Sequence, residues 1–206
     1  MSAQRAVPSA DTLAPWAECV PGTAPMTVAG LLDYRGEDGW RYEVVEGVLI
    51  RVAGSRPKAN RVTDRLYRAL GDFVEANRLG QTTPPDGVYD FERTGQPNTG
   101  LLPDIGFYHA FREPLVEDDR PYPFAPDLAV EVASPSRKQG DLDAKARRYL
   151  RGGTALVWVI WPDSRAVDVW QPGDVQRPSG TLGVDDVLDG GETVFGFTYP
   201  IARLFA

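Results

Sequence analysis

Residues 101–110, LLPDIGFYHA, and residues 125–150, APDLAVEVASPSRKQGDLDAKARRYL, carry the information that decides the fold. LLPDIGFY and DLAVEVA are apolar runs of strand length, and Gln139 to Arg151 follows with helical spacing, closed by Gly152-Gly153. Side chains alternate along a strand, so Asp127, Ala129, Glu131 and Ala133 share one face. Leu128, Val130 and Val132 share the other, which must be core. In the earlier strand Asp104 shares a face with Gly106 and Tyr108, while Ile105 and Phe107 point the other way. Asp104 and Glu131 are thus flanked by small side chains, which leaves room for a metal, its waters and a substrate. In adjacent strands the two acids would converge on one ion. A carboxylate inside an apolar strand, as Glu131 is, has to be paired, liganded or protonated. The plainer reading makes both acids strand-end carboxylates with solvent or arginine partners.

The helix adds a cation. At about 100° per residue, Leu142, Ala146, Tyr149 and Leu150 form its packed stripe, and Lys145 falls on one border with Lys138, Asp141 and Arg148. From there Lys145 could snorkel to the sheet end that carries Glu131. Two carboxylates and a lysine are the minimum set for holding a divalent cation and activating water beside a phosphodiester. The ordinary alternative for Lys145 is a surface ion pair with Asp141 at i−4.

Outward from this block, MTVAGLLDYRG reads as a short helix starting near Met26 or Thr27, with Gly36 ending it. WRYEVVEGVLIRVA reads as a hairpin turning at Glu46-Gly47. Ala59 to Leu79 is the clearest helix, with Gly80 as its expected cap. Its edge carries Arg61, Arg65 and Arg68 at i, i+4, i+7. Short strand pieces follow around Thr82 and Val88–Phe91, then the turn-rich loop RTGQPNTG. FREPLVEDDRPYPFAP reads as an exposed acidic connection. TALVWVIW and AVDVW are strands joined by PDSR, and the tail carries a loose hairpin and a final apolar segment, PIARLFA. The expectation is a flexible leader over residues 1–25 and one mixed α+β domain over 26–206, a mixed β-sheet flanked by helices.

Bulk properties narrow the chemistry. The chain has 206 residues and a formal net charge of −7, which argues against a protein that coats nucleic acid non-specifically. Its charge is unevenly spread. Six basic residues lie between Arg51 and Arg68 against Asp64 alone, and six between Arg137 and Arg151 against Asp141 and Asp143. Such edges fit contact with a phosphate backbone, and equally fit solvated helix faces. One cysteine and one histidine exclude an internal disulfide, a multi-cysteine zinc site and a histidine-rich metal centre. Any metal should be a hard ion bound by oxygen, Mg²⁺ or Mn²⁺. No run of about 18 apolar residues exists for a membrane span, and the N-terminus lacks an apolar signal core. The expected location is the cytoplasm.

YEVVEG, LLPDIGFY, APDLAVEVASPS, the KARRYL–GG–ALVWVIWPDSRAVDVW run and the final FGF element together resemble the PD-(D/E)XK nuclease superfamily. Within it the chain is similar to the Uma-two family of restriction-endonuclease-like proteins, from about Met26 to Phe205. The resemblance implies a restriction-endonuclease-like core and a Mg²⁺- or Mn²⁺-dependent endonuclease acting on nucleic acid, with DNA the expected substrate. Asp104 and Glu131 would be metal ligands, the Val132 carbonyl a further one, and Glu43 of YEVVEG could reach the same ion. The superfamily motif places lysine two residues after the acid, where this chain has Ala133, so Lys145 is the candidate replacement. Family members often carry a histidine near Ala59 and Asn60, and none stands there. Arg61, Arg65, Arg68, Lys138 and Arg148 would contact the backbone, and a homodimer would suit double-strand cleavage. The alternative is a nuclease-like fold that binds nucleic acid or protein without turnover.

Overall fold

The computed structural model describes residues 14, 18–20, 25–37, 40–54, 56–134 and 138–206. Much of the expected leader lies outside the described residues, as does Arg137. The part within them is tied down. Ala14 is fully buried, and β1 (Glu18–Cys19) pairs with the hairpin.

The first layer grows from helix α1 (Val28–Asp33) and the hairpin of β2 (Trp40–Val45) and β3 (Val48–Ala53). Thr27 caps α1 by accepting from the Gly30 N–H. Glu46 and Gly47 both take positive φ, the left-handed pair that a two-residue hairpin turn demands. Strands β5 (Tyr89–Asp90) and β6 (Gly100–Leu101) complete a five-stranded sheet in the order β1-β3-β2-β6-β5.

The second sheet has six strands. Helix α2 (Pro57–Ala76) leads into β4 (Gly80–Thr83), then come β7 (Ile105–His109) and β8 (Leu128–Val132). Helix α3 (Gln139–Arg151) is followed by β9 (Leu156–Trp161), β10 (Ala166–Trp170) and β11 (Gly180–Leu182). The order is β11-β10-β9-β8-β7-β4, with β8 and β9 parallel and every other pair antiparallel. A parallel pair needs a crossover, and α3 supplies it. A small hairpin of β12 (Val187–Asp189) and β13 (Thr198–Pro200), then helix α4 (Ile201–Leu204), ends the chain.

Three elements differ from the sequence reading. The first helix ends at Asp33 with Tyr34 as its cap, not at Gly36. LLPDIGFY is not one strand. Leu101 ends β6 in the first sheet and Ile105 begins β7 in the second, so the chain changes sheets at Leu102–Asp104. Pro103 has no N–H to give a ladder, which makes it a natural break. The long helix ends at Ala76 with Asn77 as its cap, not at Gly80. Gly80 instead opens β4, where a Cβ would collide with the Tyr108 carbonyl.

The alternation holds, but both faces of the second sheet are core. Leu128, Val130 and Val132 pack with Ile105, Phe107, Trp158 and the α2 stripe of Val62, Leu66 and Leu70. Ala129 and Ala133 pack with Tyr108, Val157, Val159 and the α3 stripe of Leu142, Ala146 and Tyr149. Val45, Ile50, Tyr89 and Leu101 of the first sheet join that second cluster, so the first sheet and α3 cover the Glu131 face together. The empty space expected beside Gly106 is filled. A Cβ on Gly106 would sit 2.5 Å from both the Thr83 and the Tyr89 hydroxyl oxygens, so the missing side chain admits an aromatic ring.

Candidate active site

Asp104 sits at the point where the chain passes between the sheets, Glu131 near the end of β8, Glu43 on β2 and Lys145 on α3. The structure brings all four together. The Lys145 ammonium lies 2.8 Å from Glu43 Oε1 and 2.8 Å from Glu131 Oε1, and 3.4 Å from the Leu102 carbonyl. Asp141, the i−4 partner considered for Lys145, instead accepts from the Lys138 backbone N–H at the start of α3. A lysine side chain only 2 % exposed between two carboxylates is a buried ion triad rather than a surface pair.

Each carboxylate is further held. The Tyr149 hydroxyl donates to Glu131 Oε1 at 2.9 Å. The Leu102 N–H donates to Glu43 Oε1 at 2.9 Å. Asp104 Oδ2 accepts from the Val132 N–H at 2.8 Å, the antiparallel neighbour that fixes its reach toward Glu131. Asp104 Oδ1 accepts from Arg41 Nη1 at 2.7 Å, and Arg41 Nη2 donates to the Leu102 carbonyl at 3.0 Å. Arg41 and Tyr149 are the site residues that sequence reasoning missed. Arg41 stands two residues before Glu43 on β2, so strand alternation puts them on one face.

Among the described residues, Glu43, Asp104 and Glu131 thus meet Lys145 and Arg41. Burial, opposed by Lys145 and reinforced by Asp104 and Glu43, pushes the Glu131 carboxyl up to about 7. Burial pulls Lys145 downward, yet Glu131 and Glu43 outweigh it and hold the ammonium above its ordinary value. Lys145 therefore stays charged within the cluster. Burial, with Glu131 and Glu43 adding to it, pushes the Tyr149 phenol well up, so it stays a neutral donor.

Among the described residues, no group of three or more His, Cys, Asp or Glu side chains is already arranged to hold a metal ion. The donor chemistry nonetheless fits a hard divalent cation, because every candidate ligand is a carboxylate or carbonyl oxygen. Among the described residues, the Nε of Arg41 is buried without a hydrogen-bond partner.

The basic residues separate into groups. Lys138 is exposed at the start of α3. Arg148 is buried, with Nη1 near Glu46 Oε1 (3.4 Å) and donating to Gln96 Oε1 (3.2 Å). Arg61, Arg65 and Arg68 are on α2, whose buried stripe covers the opposite face of the sheet from Glu131. Arg65 donates to the Leu204 carbonyl, and Arg68 pairs with Asp64. The structure does not gather these three around the carboxylates.

The crystal structure of a putative nuclease belonging to DUF820 from Anabaena variabilis ATCC 29413 is similar in fold. Its TM-score is 0.72 at 21 % identity, over 88 % of this chain and 98 % of that one. No curated protein matches the chain. No described helix is long and apolar enough to cross a membrane. The family model for Uma2, described as "Putative restriction endonuclease", matches residues 29–202, which is most of the chain, and the protein belongs to that family.

Proposed function

We propose that the protein is a Mg²⁺- or Mn²⁺-dependent endonuclease that hydrolyses phosphodiester bonds in DNA. Its family membership supports a nuclease. The observation that carries the finer reading is the meeting of Glu131 and Glu43 around a lysine contributed by a neighbouring helix, with Asp104 close enough to act on Glu131. This is the charge pattern of the PD-(D/E)XK site with its lysine moved from position 133 to Lys145. Only the place of the ammonium matters for such a role, not its place in the chain.

Asp104, Glu131 and the Val132 carbonyl would hold the cation, with Glu43 beside them. The bound cation would supply Lewis-acid polarisation of the scissile phosphate and screening of its charge. Lys145 stays protonated through its two carboxylate partners, and would orient the attacking water or stabilise negative charge developing on phosphorus oxygens. Tyr149 fixes the orientation of Glu131 through its Oε1. Lys138, exposed on the helix that carries Lys145, is the first candidate for a phosphate-backbone contact, with the α2 arginines further round the molecule. A homodimer would present two such sites to a duplex.

A cleavage assay on duplex DNA with Mn²⁺ tests the proposal. Wild type should cut, and Glu131→Ala should lose about 10³-fold or more of the rate. Equal trace activity in both proteins sinks the enzyme reading. A second reading, a nuclease-like module that binds without turnover, draws on Ala133 and on the protein donors already attached to both Asp104 oxygens. It predicts DNA binding that survives Glu131→Ala with no cleavage in either protein.

A further inference from the structure

We propose that Arg41 occupies the place of a divalent cation at Asp104 and is the group that an entering metal ion displaces. The inference rests on the metal-dependent reading above and adds a named competitor to it.

Asp104 has two carboxylate oxygens, and they are held differently. Oδ2 is locked to the Val132 amide inside the sheet, while Oδ1 is held by the Arg41 guanidinium. The same guanidinium also takes the Leu102 carbonyl, so its fork spans two oxygens that a hard cation would equally accept. Exposure points to which cation must leave. The Arg41 side chain is 20 % exposed, against 2 % for Lys145 and 8 % for Asp104, so Arg41 lies on the solvent side of the cluster. Lys145 is enclosed and shared by two carboxylates, and its removal would strand both. Among the described residues Arg41 pairs with one carboxylate, and its buried Nε makes no hydrogen bond. Its side chain is long enough to turn outward, where water restores that lost hydrogen bond.

Calorimetric titration with Mn²⁺ of wild type, Arg41→Gln and Arg41→Lys tests this without any cleavage readout. Removing the competitor should tighten Mn²⁺ binding by about tenfold or more in Arg41→Gln. Arg41→Lys keeps the charge but not the two-pronged grip, so it should fall between the two. Equal or weaker binding in Arg41→Gln overturns the inference and leaves the metal site standing. Absence of Mn²⁺ binding in all three proteins overturns both. If Arg41→Gln fails to fold, the wild-type protein still decides. The Arg41 guanidinium nitrogen resonances should shift on saturation with Mg²⁺, and resonances that stay fixed at saturation overturn the inference.

Discussion

The two faces of the six-stranded sheet make different uses of the same strand. Toward α2, β8 presents Leu128, Val130 and Val132 to an aliphatic and aromatic cluster closed by Trp158 and Phe197. Toward α3 it presents Ala129, Glu131 and Ala133, and there Glu131 meets Lys145, Tyr149 and, through the first sheet, Glu43. One face gains stability from apolar burial that needs no partner of a particular charge. The other buries charges whose cost is offset only while every partner is present. A substitution on the α2 side should therefore be felt as lost packing, and one on the α3 side as unbalanced charge.

Four measurements sharpen or break that contrast. The largest effect belongs to Lys145→Met, which leaves Glu43 and Glu131 together without their shared cation. Chemical denaturation should show a loss of about 3–5 kcal/mol, and an unchanged midpoint would mean that the triad does not form. Leu66→Ala, fully buried on the α2 side, should cost about 2–5 kcal/mol through the cavity it leaves. Its Mn²⁺ affinity should equal that of wild type; a parallel loss would show that the faces are not independent.

The third measurement is pH. Glu131 is raised from 4.5 to about 7 in the folded protein, so the fold favours its protonated form. That contribution is fully present below the unfolded value and is lost as pH rises through about 7. The metal-free protein should therefore lose up to about 3 kcal/mol of unfolding free energy between pH 4.5 and 7.5. Glu131→Gln should flatten that slope, and a slope that persists assigns it elsewhere. The smallest effect compares Lys138→Ala with Arg68→Ala. The first should lower the salt dependence of DNA binding by about one unit of slope. The second should leave it unchanged and cost under about 1 kcal/mol, because Arg68 makes an exposed pair with Asp64.

Much of the charged face was legible because strand periodicity is local. Alternation correctly placed Glu131 with the alanines, and the helix stripe put Lys145 on a border from which it reaches the sheet. What defeated the sequence was packing between distant segments. A glycine at 106 reads equally as room for a ligand or room for a ring, and only Tyr89 from another strand decides between them. Alternation would also have paired Arg41 with Glu43. Which face of their strand looks onto β7 and β8 depends on how two sheets stack, and no local pattern encodes that. Pro103 was the available sign that LLPDIGFY is two strands, since it has no amide to donate. The pairing of Glu18–Cys19 with the hairpin was not legible, because two residues are too few to announce a strand.

The ion triad also sets a condition on timing during synthesis. Glu43 leaves the ribosome about a hundred residues before Lys145, its counter-ion, and Arg41 precedes Asp104 by 63. Contacts closed over such spans form late, after the loop entropy between them has been lost. An incomplete chain therefore has the hairpin but not the ammonium that would let Glu43 and Glu131 share one enclosure. For a nuclease, cleavage competence would then arise only after the helix that carries Lys145 has been made and docked.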